Sequence, residues 1–193
     1  MVLRRALLPI VLLLASILAG VGCGPRWTVI RQGVGNPFTY QRTFAVEAVH
    51  FEGMHVGDKS EAEYQAGKDP DQQRSWQADK QGMIAAYQQG LVDQARGLTF
   101  TGIPPAPGTW VIRPIVTFVE PGFYAGIAAG DTVVNMIVQV VAPDGQQVVD
   151  EIQIASRRAA SMTSPSSGGR MRSAAEDLGS VSGKYLLHRL GLD

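Results

Sequence analysis

Cysteine is all but missing from this chain of 193 residues: there is one, Cys23. An intramolecular disulfide is therefore excluded, and the fold must stand on its own core, which a chain of this length can build. An excess of charge is missing too. Seventeen basic residues face seventeen acidic ones. Residues 1–22 hold Arg4 and Arg5 and no acid, so removing them leaves 15 against 17. A nucleic-acid footprint needs a basic face, and this balance excludes one as the main business of the chain. A bilayer-spanning run is also missing. The longest apolar stretch, Leu7 to Ala19, falls short of the roughly 20 residues a spanning helix needs, and Pro9 interrupts it. No internal repeat of useful period is present.

What is there begins with that stretch. Arg4 and Arg5 form a positive n-region, Leu7 to Ala19 an apolar h-region, and Gly20-Val21-Gly22 a small-residue box directly before Cys23. These are the parts of a secretion signal. The segment resembles the bacterial lipoprotein signal, in which the cysteine after the box is diacylated and becomes the new N-terminus. Gly22 fits the pattern; Gly20 stands where Leu is usual. The resemblance implies a lipidation site at Cys23 and a membrane as first partner. Gly24 follows Cys23, where an Asp would resemble an inner-membrane retention signal, so the expected location is the outer membrane, facing the periplasm. The oxidising compartment follows from the signal and not from cysteine usage.

Residues 1–22 thus read as signal peptide, 23–37 as tether and 38–193 as one domain. Within the tether, Trp27, Val29 and Ile30 suit either the membrane interface or a short docked strand. Phe38 to Phe51 alternates as a strand, with Phe44, Val46, Ala48 and His50 on one face. Gly53 to Lys68 reads as an exposed loop. Asp69-Pro70-Asp71-Gln72 starts a helix that runs to about Arg96 with Trp76, Met83, Tyr87 and Leu91 on its apolar stripe. Gly82 and Gly90 predict close approach to a sheet. Thr99 to Gly108, with three prolines, is a connector. Thr109 to Val119 is a strand with Val111, Arg113, Ile115, Thr117 and Val119 on one face, and Pro114 argues for an edge or a bulge. Asp131 to Ala142 and Gln147 to Ser156 form a hairpin about Pro143-Asp144-Gly145. Met171 to Leu190 is a second amphipathic helix, with Ala175, Gly179 and Gly183 as a small-residue stripe for close packing. The expected fold is α+β: one domain with a mostly antiparallel four-stranded sheet, order β-α-β-β-β-α, and two helices on one face.

Few residues suggest chemistry. His50, Glu52 and His55 could ligate zinc, but the two histidines are five apart with Gly53 between them, unlike the helical metalloprotease spacing of four. The bland reading, a strand and its loop, predicts no metal and no other cofactor. Gly122, Gly126 and Gly130 recur every fourth residue between Glu120-Pro121 and Asp131, which reads as a wide turn. Phe123, Tyr124 and Ile127 on it are the expected partner surface. Arg157, Arg158, Arg170 and Arg172 flank a Ser-rich stretch and read as a solvated basic loop, with anionic glycans or lipid headgroups as the alternative contact. Gly179-Ser180-Val181-Ser182-Gly183 fails as a nucleophile elbow, having Val181 at its centre. No nucleophile, base and stabiliser converge, so an enzyme is not expected.

Trp110 to Ile154, with the glycine-spaced loop, the Pro143-Asp144-Gly145 turn and the closing helix, resembles a group of uncharacterised bacterial envelope lipoproteins. Their layout is similar to the periplasmic α/β domains of lipoproteins that assist secretion or cell-wall synthesis. The resemblance implies a non-catalytic binding module with a protein partner in envelope assembly or maintenance. The alternatives are a carrier or sensor of a small apolar ligand, held between sheet and helices, and a metal-dependent hydrolase at His50, Glu52 and His55.

Overall fold

The computed structural model describes residues 25–126 and 128–193; the signal segment, Cys23 and Ile127 lie outside them. Along the described chain run β1 (Trp27–Arg31), β2 (Thr43–Val46), β3 (His55–Val56), β4 (Lys59–Ser60), α1 (Glu61–Ala66), α2 (Pro70–Gln94), β5 (Thr99–Thr101), β6 (Trp110–Glu120), β7 (Phe123–Tyr124), β8 (Ala129–Gly130), β9 (Thr132–Val141), β10 (Val148–Arg158) and α3 (Ser167–Leu190). The domain is α+β, but the sheet is larger than the expected four antiparallel strands. Eight strands form one mixed sheet in the order β1-β10-β9-β6-β2-β5, with β3 on the far half of β6 and β4 on β3. Among the described residues there are three helices where two were expected. The additional one, α1, and strands β3 and β4 occupy the stretch read as an exposed loop.

The antiparallel half, β6-β9-β10, follows from alternation and turn chemistry. In β9 Val134, Met136, Val138 and Val140 are buried, while Val133, Asn135, Ile137 and Gln139 lie on the other face. The Asp144 carboxylate accepts from the amides of Gln146 (2.9 Å) and Gln147 (3.1 Å) and closes the β9–β10 turn. The N-terminal segment is the docked strand of the two readings open to it. Strand β1 pairs antiparallel with β10, Trp27 opposite Ile154 and Arg31 opposite Glu151.

Pro114 has a different consequence from the one expected. Strand β6 is central, not an edge. It pairs with β9 on one side and runs parallel to β2 on the other. The β2 ladder ends with Glu47 N–H donating to Ile112 C=O at 3.0 Å. The next rung would need an N–H from residue 114, which proline lacks. The chain bulges and rejoins at His50, whose N–H donates to Pro114 C=O and whose C=O accepts from Val116 N–H, both at 2.9 Å. The expected strand from Phe38 to Phe51 is thus four residues, a bulge and a single bridge, and Val49 rather than Ala48 is buried. A second bulge lies between Val116 and Phe118. It shifts the face, so Val119 joins the core and Phe118, opposite Asn135, lies outside, the reverse of the simple alternation.

Helices α2 and α3 cover one face only. Asp69 caps α2 by accepting from Gln72 N–H at 2.8 Å, with Pro70 at its first position. Ser166 caps α3, a turn ahead of the expected start at Met171. Phe44, Ile112, Met136, Ile152 and Ile154 from the sheet meet Met83, Tyr87, Leu91, Leu178 and Tyr185 from the helices, all essentially inaccessible. The interlayer space in which an apolar ligand would sit is occupied by these side chains. A separate small cluster, Ala45, Val111 and Val141, lies on the opposite face with Val148 against it. No described helix is long and apolar enough to cross a membrane.

The glycines of α2 approach the other helix, not the sheet. A methyl group added at Gly90 would overlap the backbone carbonyl of Glu176, and one at Gly179 would overlap that of Tyr87. The stripe read in α3 is therefore a helix-to-helix seam. Either Gly90→Ala or Gly179→Ala forces the two backbones apart and costs about 3 kcal/mol, a fall in Tm of about 6–12 °C. Gly102→Ala, where nothing lies within 4 Å of the added carbon, leaves Tm near its starting value. Thermal denaturation of the three variants measures this.

Candidate functional site

At one end of the sheet Glu120, Val133 and Arg157 stand side by side in register. Beyond them project the connection carrying the β7–β8 hairpin and the stretch between β10 and α3. The hairpin pairs Phe123 with Gly130 and Tyr124 with Ala129. The Phe123 ring lies over Gly130, where a Cβ would meet it at 2.7 Å, which accounts for the last of the three spaced glycines. Phe123 is 56% exposed and Tyr124 half-buried. Met162, in the Ser-rich stretch, is 83% exposed. Ile127, the third member of the expected surface, is outside the described residues.

Both projections are tied down by Arg170. It was expected in a solvated basic loop; it is 1% exposed. Its Nε donates to Thr132 Oγ1 (2.9 Å), its Nη1 to the carbonyls of Ser164 (2.9 Å) and Pro165 (2.7 Å), and its Nη2 to that of Pro121 (3.3 Å). Thr132 in turn donates to Pro121 C=O at 2.7 Å. One guanidinium thereby joins both feet of the hairpin connection to the end of the Ser-rich stretch. Its partners are all neutral, and it sits in the first turn of α3, where the helix dipole opposes a cation. Sequence reasoning missed it, although Arg170 continues the 3–4 spacing of Ala174, Leu178, Val181 and Tyr185 by one turn. The other three arginines are paired at the surface: Arg157 with Asp131 (3.6 Å), Arg158 with Asp177 (3.4 Å) and Arg172 with Asp79 (2.9 Å).

The N-terminal segment is held along its length. Arg26 makes a two-pronged bond to Asp177, Nη1 to Oδ1 at 2.9 Å and Nη2 to Oδ2 at 2.5 Å. The Arg26 guanidinium, with Ser156 and Arg158 behind it, holds the Asp177 carboxyl down to about 2. Trp27 packs edge-on against Tyr185, centroids 5.6 Å apart. At the far end of β10 Asp150, fully buried, accepts from Arg189 Nε (2.6 Å), Tyr185 OH (2.7 Å) and Gly33 N–H (2.8 Å), and Arg189 also donates to Gly33 C=O (3.1 Å). Burial, and then the neighbouring Asp150 carboxylate, push the Tyr185 phenol well above its ordinary value. A carboxylate in the same register as Ile152 and Ile154 is the sequence signal for this network.

The zinc candidates do not assemble. His50 Nε2 lies 2.8 Å from Glu47 Oε2, and its Nδ1 3.5 Å from Glu52. Glu47 also accepts two bonds from Arg113, at 2.7 and 2.9 Å, and that guanidinium first, then His50, holds the Glu47 carboxyl below its usual value. His55 is on β3, paired with Ser60. Among the described residues no group of three His, Cys, Asp or Glu side chains is placed to hold a metal ion. The cluster lines an open cleft of about 780 Å³ with Phe51, Lys80, Ile84 and Ile103. Glu47, His50 and Arg113 bind one another while Lys80 pairs with Glu61 at 2.7 Å, and the bulge that Pro114 imposes is what brings Glu47 and His50 together.

No family model matches this chain, and no curated protein matches it either. The chain is similar to several solved structures. The PelC dodecamer from Paraburkholderia phytofirmans is 15% identical with a TM-score of 0.44, covering 85% of this chain and 96% of that one. A Xanthomonas campestris protein of family DUF330 is 11% identical with a TM-score of 0.48, covering 84% and 93%. A minor lipoprotein from Acinetobacter baumannii is 9% identical with a TM-score of 0.39, covering 74% and 91%.

Two variants test this end of the molecule. Arg170→Met takes the guanidinium from the Ser164 and Pro165 carbonyls and one of two donors from that of Pro121, and lowers stability by about 3 kcal/mol. Limited proteolysis of it cuts first within 122–131 and 159–166, whereas the parent resists there. For Asp177 the folded carboxyl is depressed, so its contribution is complete above pH 3.8 and is lost as pH falls from there towards about 2. Tm measured between pH 2 and 5 falls more steeply for the parent than for Asp177→Asn.

Proposed function

We propose that this chain is a bacterial envelope lipoprotein, diacylated at Cys23, whose single domain is a non-catalytic binding module. Its place is the outer membrane, facing the periplasm, as an accessory in envelope assembly or maintenance. One observation carries the reading. The residues that follow the lipidation cysteine enter the fold almost at once, with Arg26 bonded to Asp177 and Trp27–Arg31 a strand of the sheet. Three residue steps separate Cys23 from Arg26, which reach at most about 10 Å. A lipid on Cys23 therefore holds the domain against the bilayer surface and not at the end of a long leash.

The remaining features support a binding role. On the sheet face opposite the helices Ile115, Val133 and Ile137 are partly exposed beside the small buried cluster of Ala45, Val111 and Val141, a surface suited to a protein partner. Three of the charged and polar groups lining the open cleft, Glu47, His50 and Arg113, are hydrogen-bonded to one another.

Labelling cells with a radioactive fatty-acid precursor tests the reading. The parent chain carries label and fractionates with membranes; Cys23→Ser carries none and is recovered in the soluble fraction. An unlabelled parent chain removes the lipoprotein assignment. Density separation of inner and outer membranes decides between the two locations.

A further inference from the structure

We propose that the hairpin end of the domain is a second, non-covalent membrane contact, with Phe123 and Met162 entering the lipid interface beside the acylated cysteine. This inference rests on the lipoprotein reading, because it takes the bilayer as the occupant of that end. Three observations on different parts of the chain agree on it. First, β1 runs antiparallel to β10, so the chain upstream of Trp27 leaves toward the end where β10 finishes, and Arg26 lies beside Ser156 and Asp177 there. The membrane-directed residues are upstream of that point, with Cys23 no more than about 10 Å from Arg26. Second, the same end exposes a large apolar side chain on each of its two projections, Phe123 and Met162, with half-buried Tyr124 behind Phe123. An aromatic with a hydroxyl-bearing neighbour suits the headgroup boundary, where one side of the contact is apolar and the other wet.

Third, the two projections are held to one another. Arg170 spans from Pro121 and Thr132 to Ser164 and Pro165, so the two tips are carried on a common base. A buried cation with only neutral partners, opposed by its own helix dipole, is a costly way to fix two surface loops. It is reasonable where the loops must present their tips together. Charge does not attract this end to anionic lipid in particular. Arg157 is offset by Asp131, and Arg26 and Arg158 share Asp177. The contact is therefore apolar insertion, weak alone and adequate beside a covalent anchor.

The experiment removes the anchor and asks for the remainder. Residues 23–193 with Cys23→Ser, which contain every core element described above, are floated with vesicles of phosphatidylethanolamine and phosphatidylglycerol. The chain co-floats with the vesicles. Phe123→Ser with Met162→Ser lowers the partition coefficient about tenfold, since each side chain carries apolar area that the interface removes from water. Tyr40→Ser, which alters an aromatic 91% exposed at the opposite end, leaves it unchanged. Both substituted tips are at the surface, so circular dichroism and Tm of the double variant match the parent. The proposal is overturned if the Cys23→Ser chain stays with the unbound fraction, if the double variant floats as well as the parent, or if a photo-crosslinker at position 123 in membranes captures a protein and not lipid. Because the cysteine is replaced throughout, these outcomes are independent of whether Cys23 is acylated, which fatty-acid labelling decides separately.

Discussion

Helices α2 and α3 meet backbone to backbone, and much of the domain follows from that contact. Gly90 lies on the Glu176 carbonyl and Gly179 on that of Tyr87, so the pair packs as a close, rigid unit. The unit presents Met83, Tyr87 and Leu91 beside Leu178 and Tyr185 to the buried faces of β2, β6, β9 and β10. With the helices fixed sideways by glycine, α3 is fixed lengthwise by an arginine near each end. Arg170 reaches Thr132 at the start of β9, and Arg189 reaches Asp150 near the start of β10. The polar residues that break the buried register of the strands, Thr132, Asp150 and Ser156, are the points at which α3 and its neighbours are tied to the sheet.

The sheet itself is shaped by what one residue cannot do. Pro114 has no N–H to offer β2, so the parallel ladder skips a rung and the chain beside it bulges. Glu47, His50 and Arg113 meet at that bulge and hydrogen-bond to one another, which gives the cleft much of its polar lining. The lost rung lies on the β2 side, and the pairing with β9 continues past Pro114 opposite Val138. This is how proline sits in the middle of a central strand.

Local patterns were legible in the sequence; pairings that depend on a distant edge were not. The β9–β10 hairpin, the Asp69-Pro70 helix start and the apolar stripe from Met171 to Leu190 are all set by neighbours within a turn or a few residues. The glycine seam is visible as small residues on α3, though the spacing of Gly82 and Gly90 points to a sheet and not to the helix they meet. Strands β3, β4 and β5 are two or three residues long, too short for alternation to register, and they exist because β6 and β2 leave edges to be filled. The bulge at Val116 exchanged Phe118 and Val119 between faces, which no periodic reading anticipates. Of the candidate site, the hairpin and its exposed Phe123 could be read from spaced glycines. Arg170 could not, because an arginine beside serines reads as solvated until its place on the buried stripe is noticed.

Strand β1 has a mechanical side. It lies at the edge of the sheet and is bonded on one flank to β10. A pull transmitted from a membrane through the N-terminus would act parallel to the strand and load its backbone hydrogen bonds together, in shear, where a perpendicular pull would open them one by one. The Arg26–Asp177 pair stands first in that line of force, and the Gly33–Asp150–Arg189 network stands last. With the lipid anchor proposed at Cys23, the segment that reads as a tether in composition serves as a tensile joint to the core.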